Sequence, residues 1–251
     1  MLVEEIIRNN MRYNKNGNIY SFIQDEEERP LWSQRLNNYF INSNADLKMT
    51  EKYKQNKLRI NESAYKRFFD YISENEGIGV DLASGPSGYF SPALDRLSEN
   101  YVFIVTDACP AVINAHSSAC DNPNFYVFDM DLDKELPFKN ESVTAFSGNL
   151  LNNVDHYADL INEAYRCLKF GGRFAVIEMF FEHGCKTYEY LNNQGAVWAS
   201  FETFVEYCRN VGFVYKDSEI INSRKGKISD GDLFPLDDND CSTDRMIYFE
   251  K

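Results

Sequence analysis

Basic residues are scarce in this sequence: 26 Lys and Arg stand against 39 Asp and Glu, a formal net charge of −13. Affinity for nucleic-acid backbones comes mainly from Lys and Arg releasing phosphate counterions, so this balance predicts no general DNA or RNA binding. The six cysteines, at 109, 120, 167, 185, 208 and 241, form no Cys-x-x-Cys pair and no metal-finger spacing. Reduced thiols are therefore expected, and no metal site. No apolar run approaches the roughly 18 residues of a membrane span. Residues 1–14 interrupt their apolar positions with charges, unlike a secretory leader. Together these absences predict a soluble cytoplasmic protein without a membrane span. Core material is plentiful, with 43% hydrophobic and 15% aromatic residues over 251 positions. That suffices for one large α/β domain with an appendage and argues against disorder throughout.

From Ile78 onward one rhythm repeats: a short apolar run ending in small or acidic residues, then a helical pattern. Such alternation predicts a mostly parallel sheet covered by helices. Strands are expected at 78–83, 101–106, 124–128 with Asp129 at its end, 143–147, 173–180, 213–221 and 244–250. Helices are expected at about 89–99, at 110–119 opened by Pro110, at 155–169, and at 201–211 before Gly212. The pair Gly171-Gly172 reads as the cap that ends the 155–169 helix. A final strand returning beside its predecessor makes an antiparallel edge hairpin, with 222–243 a mobile or partly ordered connection. The expected architecture is thus a seven-stranded Rossmann-like α/β sheet. Residues 1–77, rich in Asn, Glu, Tyr and Lys, read as a helical cap or lid on the 78–251 domain.

The sharpest local signal is Val80-Asp81-Leu82-Ala83-Ser84-Gly85-Pro86-Ser87-Gly88, a strand leading through small residues into a helix. Small residues let a ligand approach the backbone and leave N–H groups available to it. The spacing is a relaxed dinucleotide fingerprint, weak by itself. Asp81 would oppose a negatively charged pyrophosphate, and Pro86 removes an N–H that would cradle it. A cationic ligand suits this loop better than NAD.

These residues resemble the glycine-rich first motif of the class I S-adenosylmethionine-dependent methyltransferases, with Ala83 where Gly is usual. The resemblance extends over about residues 78–251. Glu163-Ala164-Tyr165-Arg166-Cys167-Leu168-Lys169-Phe170-Gly171-Gly172-Arg173-Phe174 is similar to the family's helix-to-strand signature, in the style of the ubiquinone-biosynthesis and other small-molecule methyltransferases. The antiparallel last strand is a further likeness. The family implies S-adenosylmethionine as cofactor. On that reading Ala83, Ser84, Gly85 and Gly88 form the cofactor loop, and Asp81 orients the methionine amino end. Asp107, followed by Ala108, holds the ribose hydroxyls. Asp129, Met130 and Asp131 border the adenine, and Ser147, Gly148 and Asn149 border the methionine portion or the substrate. An ionised Asp is a pure acceptor and suits a diol, and all these positions fall at the carboxyl ends of expected strands, where open α/β sheets bind ligands.

The family implies methyl transfer to a small-molecule acceptor by in-line displacement. A nucleic-acid acceptor is disfavoured by charge and by the absence of an Asn/Asp-Pro-Pro-Tyr segment. A non-catalytic cofactor-binding protein, an aminopropyl transferase and an NAD-dependent oxidoreductase are the alternatives. His183, after the fifth strand with Glu178 and Glu182, is the candidate general base, and those two carboxylates are candidate substrate contacts. Tyr13 and Tyr20 are the further substrate candidates, from a group with Phe22 and Trp32, because a phenol both stacks and hydrogen-bonds. His116 and His156 read as surface or capping residues. Asp237, Asp238 and Asp240 read as a solvated acidic loop, lacking His or Cys ligands spaced to join them. The oligomeric state is left open.

Overall fold

In the computed structural model, which describes residues 3–43, 45–74, 76–227 and 234–251, the strand–helix rhythm closes into one sheet. Its strands are β1 (Asn14–Asn16), β2 (Ile19–Ser21), β3 (Gly77–Leu82), β4 (Tyr101–Asp107), β5 (Phe125–Asp129), β6 (Val143–Asn149), β7 (Leu168–Phe181), β8 (Val214–Lys225) and β9 (Cys241–Glu250). They lie in the order β1-β2-β5-β4-β3-β6-β7-β9-β8. From β2 to β7 neighbouring strands pair in parallel, whereas β9 is antiparallel to both β7 and β8.

Alternation along each strand divides the core into two layers. Val102 and Ile104 of β4, with Val80, Phe146, Phe174 and Phe249, face one side. There they meet Leu160, Ile161 and Ala164 of helix α5 (Tyr157–Cys167) and Phe204 and Val205 of α7 (Phe201–Val211). Phe103 and Val105, with Phe125, Val127 and Tyr248, face the other. That side receives α3 (Ser63–Ser73), whose Tyr65, Phe68, Phe69 and Ile72 make an apolar stripe at helical spacing. The remaining helices are α1 (Leu31–Ser43), α2 (Ala45–Leu58), α4 (Pro110–Ser117) and α6 (Lys186–Asn193).

Several expectations change. Nine strands, not seven, stand among the described residues, because the N-terminal segment is not wholly helical. Its Asn16-Gly17-Asn18 turn, with Gly17 at φ 60, closes a hairpin whose second strand adds to the open edge of β5. With Asn16 paired to Ile19, the two loop residues are Gly17-Asn18, and glycine at the first loop position suits such a turn. The helix expected at 89–99 is a short 3-10 stretch, Ser91–Arg96. Gly171-Gly172 does not cap a helix: α5 ends at Cys167, and the glycines lie inside β7. They sit where Val143 pairs with Leu168 and Ala145 with Arg173, so the extra β7 residues bulge out. The expected antiparallel edge hairpin of the last two strands is present, with β9 against β7 and β8 outermost. Strand β8 takes up 222–225 of the expected connection, while 228–233 lie outside the described residues. Asp240 is buried, not solvated, and accepts hydrogen bonds from the Lys186 and Thr187 N–H groups at 3.0 and 2.8 Å, at the start of α6. His116 is likewise buried, its ring 4.9 Å from that of Phe90.

Candidate functional site

Four parallel strands deliver their carboxyl ends to one place. Asp81 ends β3 and Ser147 lies beside it on β6, donating its hydroxyl to Asp81 Oδ1 at 2.6 Å. Past β3 the chain turns through Ala83 and Gly85, at φ 48 and 57, and is pinned to β4 by Ser84 N–H donating to Thr106 O at 2.8 Å. The Gly85 N–H then donates to Asp107 Oδ2 at 3.0 Å, and the Cys109 N–H donates to Oδ1 at 2.8 Å. Asp107 therefore braces the glycine loop as well as facing it.

Asp81 and Asp107 are both buried and receive only neutral donors; neither has an ion-pair partner among the described residues. Burial pushes each carboxyl up to about 6, opposed for Asp81 by the Ser147 and Ser84 side-chain hydrogen bonds and for Asp107 by backbone N–H groups. A ligand bringing a positive charge and hydroxyl donors would supply what this pair lacks.

Asp129, one strand further out, is already satisfied. Arg29 grips both its oxygens, and Ser21 donates to Oδ2 at 2.6 Å. Its carboxylate is thus held by the N-terminal segment. Met130 is buried in the core, with its N–H donating to Asp107 O at 2.9 Å. Asp131 holds the Asp133 N–H at 3.1 Å. Ala108 is covered by the N-terminal segment: Arg29 Nη1 donates to its carbonyl at 2.7 Å, as does the Ser33 hydroxyl at 2.5 Å. Asn56 of α2 donates to Ser87 O. Gly148 has no room for a side chain, since a Cβ there would lie 2.6 Å from Leu151 Cδ1.

Beside this cradle opens a cavity of about 720 Å³. Ser87 and Tyr89 from the glycine loop and Asn149 and Leu150 from the end of β6 form the shared wall. Ile177 and Met179 of β7, Trp198, Phe234 and the 222–226 end of β8 form the rest, with Arg59, Glu62 and Tyr65 entering from the N-terminal side.

Five expected substrate or catalytic contacts are not in this wall. Glu178, between Ile177 and Met179, alternates to the opposite face and is wholly buried. There its Oε1 accepts the Leu151 N–H at 2.9 Å and the Tyr157 hydroxyl at 2.7 Å, and burial pushes its carboxyl up to about 8. Glu182 and His183 follow the end of β7 and are exposed; His183 rests on Tyr188 at 4.4 Å and faces Glu202 at 3.7 Å. Tyr20 is a core residue packed on Phe128 and Tyr126, its hydroxyl bonded to Glu4, and Tyr13 packs against it at the far sheet edge. Phe22 packs on Phe128 as well. Of the cavity wall, Ser87 and Asn149 lie in the expected segments and Tyr89 directly follows Gly88, whereas Arg29 and the other wall residues had no local signal.

Residues 80–176 match the protein family described as "Methyltransferase domain". A search of curated proteins finds no match. Among solved structures, geranyl diphosphate C-methyltransferase from Streptomyces coelicolor A3(2), in complex with S-adenosyl-L-homocysteine, is 15% identical, with 76% of this chain and 79% of that chain covered at a TM-score of 0.55. An S-adenosylmethionine-dependent methyltransferase from Mesorhizobium loti is also 15% identical, covering 75% of this chain and 96% of its own, at a TM-score of 0.53. The [4+2]-cyclase SpnF is 19% identical over 64% of this chain and 60% of its own, at 0.51. Such likenesses establish the fold, and the family match marks a methyltransferase domain within it. Residues 80–176 thus match a methyltransferase domain, and the sheet has the fold of S-adenosylmethionine-dependent methyltransferases. No helix of the described residues is long and apolar enough to cross a membrane, and no group of side chains among them could hold a metal ion.

Proposed function

We propose that the protein methylates a small molecule held in the cavity beside the glycine loop. The observation that carries this reading is the shared wall: Ser87, Tyr89, Asn149 and Leu150 belong to the loops at the strand ends and also line the cavity. A group bound at one side would meet a group bound at the other.

S-adenosylmethionine brings an electrophilic methyl on a sulfonium whose departure leaves a neutral thioether. The protein's task is then alignment and exclusion of water, which by proximity alone accounts for roughly 7–11 kcal/mol of barrier. On this reading Asp81 accepts from the ammonium end of the cofactor and Asp107 from its ribose hydroxyls. Gly85 and Gly88 keep the loop low enough for close approach. Asp129 acts at one remove, fixing Arg29 over Ala108. The segment 1–77 serves as a cap, anchored through Arg29, Ser33 and Asn56, and covers the cofactor end of the strands. The six cysteines are all unbridged, which supports a reducing, cytoplasmic setting.

Calorimetric titration with S-adenosylmethionine and S-adenosylhomocysteine tests the cofactor half. Micromolar-range binding is expected, weakened tenfold or more, about 1.4 kcal/mol, by Asp107→Ala. For the acceptor half, Asn149→Ala and Tyr89→Ala are expected to retain S-adenosylhomocysteine binding while methyl transfer to a screened small acceptor falls. Activity confined to protein or RNA substrates would overturn it.

A further inference from the structure

The cavity contains two arginines, and they differ. Arg224 is paired with Asp244, so its charge is neutralised within the wall. Arg59 has no ion-pair partner among the described residues. Its Nη1 donates to the Tyr65 hydroxyl at 2.7 Å, and its guanidinium carbon lies 4.7 Å from the Tyr65 ring centroid and 5.3 Å from that of Tyr89. The two rings are parallel to within 8°. Glu62, three residues on, is exposed and lies beyond ion-pair distance.

A guanidinium carries five N–H donors and cannot give up its charge. One donor is engaged with Tyr65, which together with the two rings fixes the group's orientation and leaves the other edge to face the cavity. A fixed planar fork of this kind pairs two-pronged with a carboxylate or phosphate. Apart from Glu62 and the Arg224–Asp244 pair, the rest of the cavity wall carries no charged side chain. Trp198 and Phe234 meet edge to face at 5.7 Å, and Ile177 and Met179 add an apolar strip from β7. Such walls suit a flat ring, which offers large contact area at little conformational cost.

We propose that Arg59 is the anion-recognition residue of the acceptor subsite, and that the acceptor is a planar aromatic molecule bearing a carboxylate or phosphate. This rests on the cavity being the acceptor site. It also gives a role to an arginine that has no ion-pair partner among the described residues and lines the cavity of a strongly acidic chain, where the overall charge of −13 would otherwise disfavour an anionic substrate.

The test uses the full-length protein saturated with S-adenosylhomocysteine and four probes: phenylacetate, phenyl phosphate, the neutral analogue phenylacetamide, and hexanoate, which has the acid but no ring. Binding of S-adenosylhomocysteine to Arg59→Gln and Arg59→Lys is measured first and establishes that both variants fold. The expected result is that phenylacetate or phenyl phosphate binds at millimolar or lower concentration, whichever is tighter identifying the acid. Hexanoate and phenylacetamide should bind at least tenfold more weakly. Arg59→Gln should weaken the aromatic acid tenfold or more and leave phenylacetamide unchanged, with Arg59→Lys in between. The proposal is overturned if acid and amide bind alike, if Arg59→Gln binds the acids as wild type does, or if no acid binds at millimolar concentration. Equal binding of hexanoate overturns the aromatic requirement. If S-adenosylhomocysteine fails to bind wild type while the acids still bind through Arg59, the anion site stands and the methyl-transfer reading of the cavity falls. If S-adenosylhomocysteine binds and the acids do not, only the proposal about Arg59 falls.

Discussion

Arg29 and Asp129 form a buried two-pronged ion pair, Nη1 to Oδ1 at 2.7 Å and Nη2 to Oδ2 at 2.8 Å, across a hundred residues of chain. Arg29 is 8% exposed and Asp129 4%. The pair ties the N-terminal segment to the carboxyl end of β5. Removing one partner from such a pair leaves the other charge buried and uncompensated, which costs roughly 3–5 kcal/mol. Arg29→Ala is therefore expected to lower the unfolding free energy read from urea titration by that amount, and Arg29→Ala combined with Asp129→Ala by less than Arg29→Ala alone. Hydrogen exchange should show α1 losing protection before the central strands do.

The buried carboxyl of Glu178 gives the protein a pH-dependent stability of definite sign. Its ordinary value is 4.5 and burial pushes it up to about 8, so the folded state holds the proton more tightly than the unfolded state. The contribution is fully present below about 4.5 and is lost as pH rises through about 8. Glu178→Gln keeps an oxygen for Leu151 and Tyr157 but does not titrate. In denaturant titrations at pH 5, 7 and 9, the variant should gain on wild type by up to about 1.4 kcal/mol per pH unit between roughly 4.5 and 8. A constant difference across that range would mean that Glu178 is charged in the folded protein.

Cofactor affinity should fall in acid. Asp81 and Asp107 titrate near 6, so below that pH a proton competes with the donors of the ligand for each carboxylate. Titration with S-adenosylhomocysteine at pH 7.5 and pH 5 is expected to show at least a tenfold loss at the lower pH. Asp107→Asn should bind weakly at both and show a shallower dependence.

Gly148→Ala tests the loop after β6. The added methyl would lie 2.6 Å from Leu151 Cδ1 and 2.7 Å from its Cγ, and Leu151 is fully buried. Overpacking of this kind costs about 1–3 kcal/mol. The variant is expected to lower the melting temperature accordingly and to disturb Asn149 and Leu150, which line the cavity. Adding Leu151→Ala should relieve the clash and recover part of the loss.

Much of the frame was legible in the sequence because its signals are local. The short apolar runs IGVDL, YVFIVTD, FYVFD and VTAFS carry strand character within their own residues, and in a parallel sheet each ends beside its neighbours. Asp81, Gly85, Asp107 and Ser147 were therefore assembled by strand boundaries alone. Tyr20 and Glu178 were misread because an aromatic hairpin residue or a strand carboxylate looks the same whether its face is covered or open. For Glu178 the phase of β7 decides: Ile177 and Met179 line the cavity, so the residue between them points away from it.

What the sequence by itself determined is the α/β class, the glycine loop and the row of carboxylates at the strand ends, all properties of contiguous segments. Only the tertiary structure decided which carboxylates stay available. Arg29 reaches Asp129 and leaves Asp81 and Asp107 without a countercharge, and Arg59, Trp198 and Phe234 converge on one cavity. Partners so distant along the chain are chosen by how the sheet is covered, and no spacing within either segment encodes that choice.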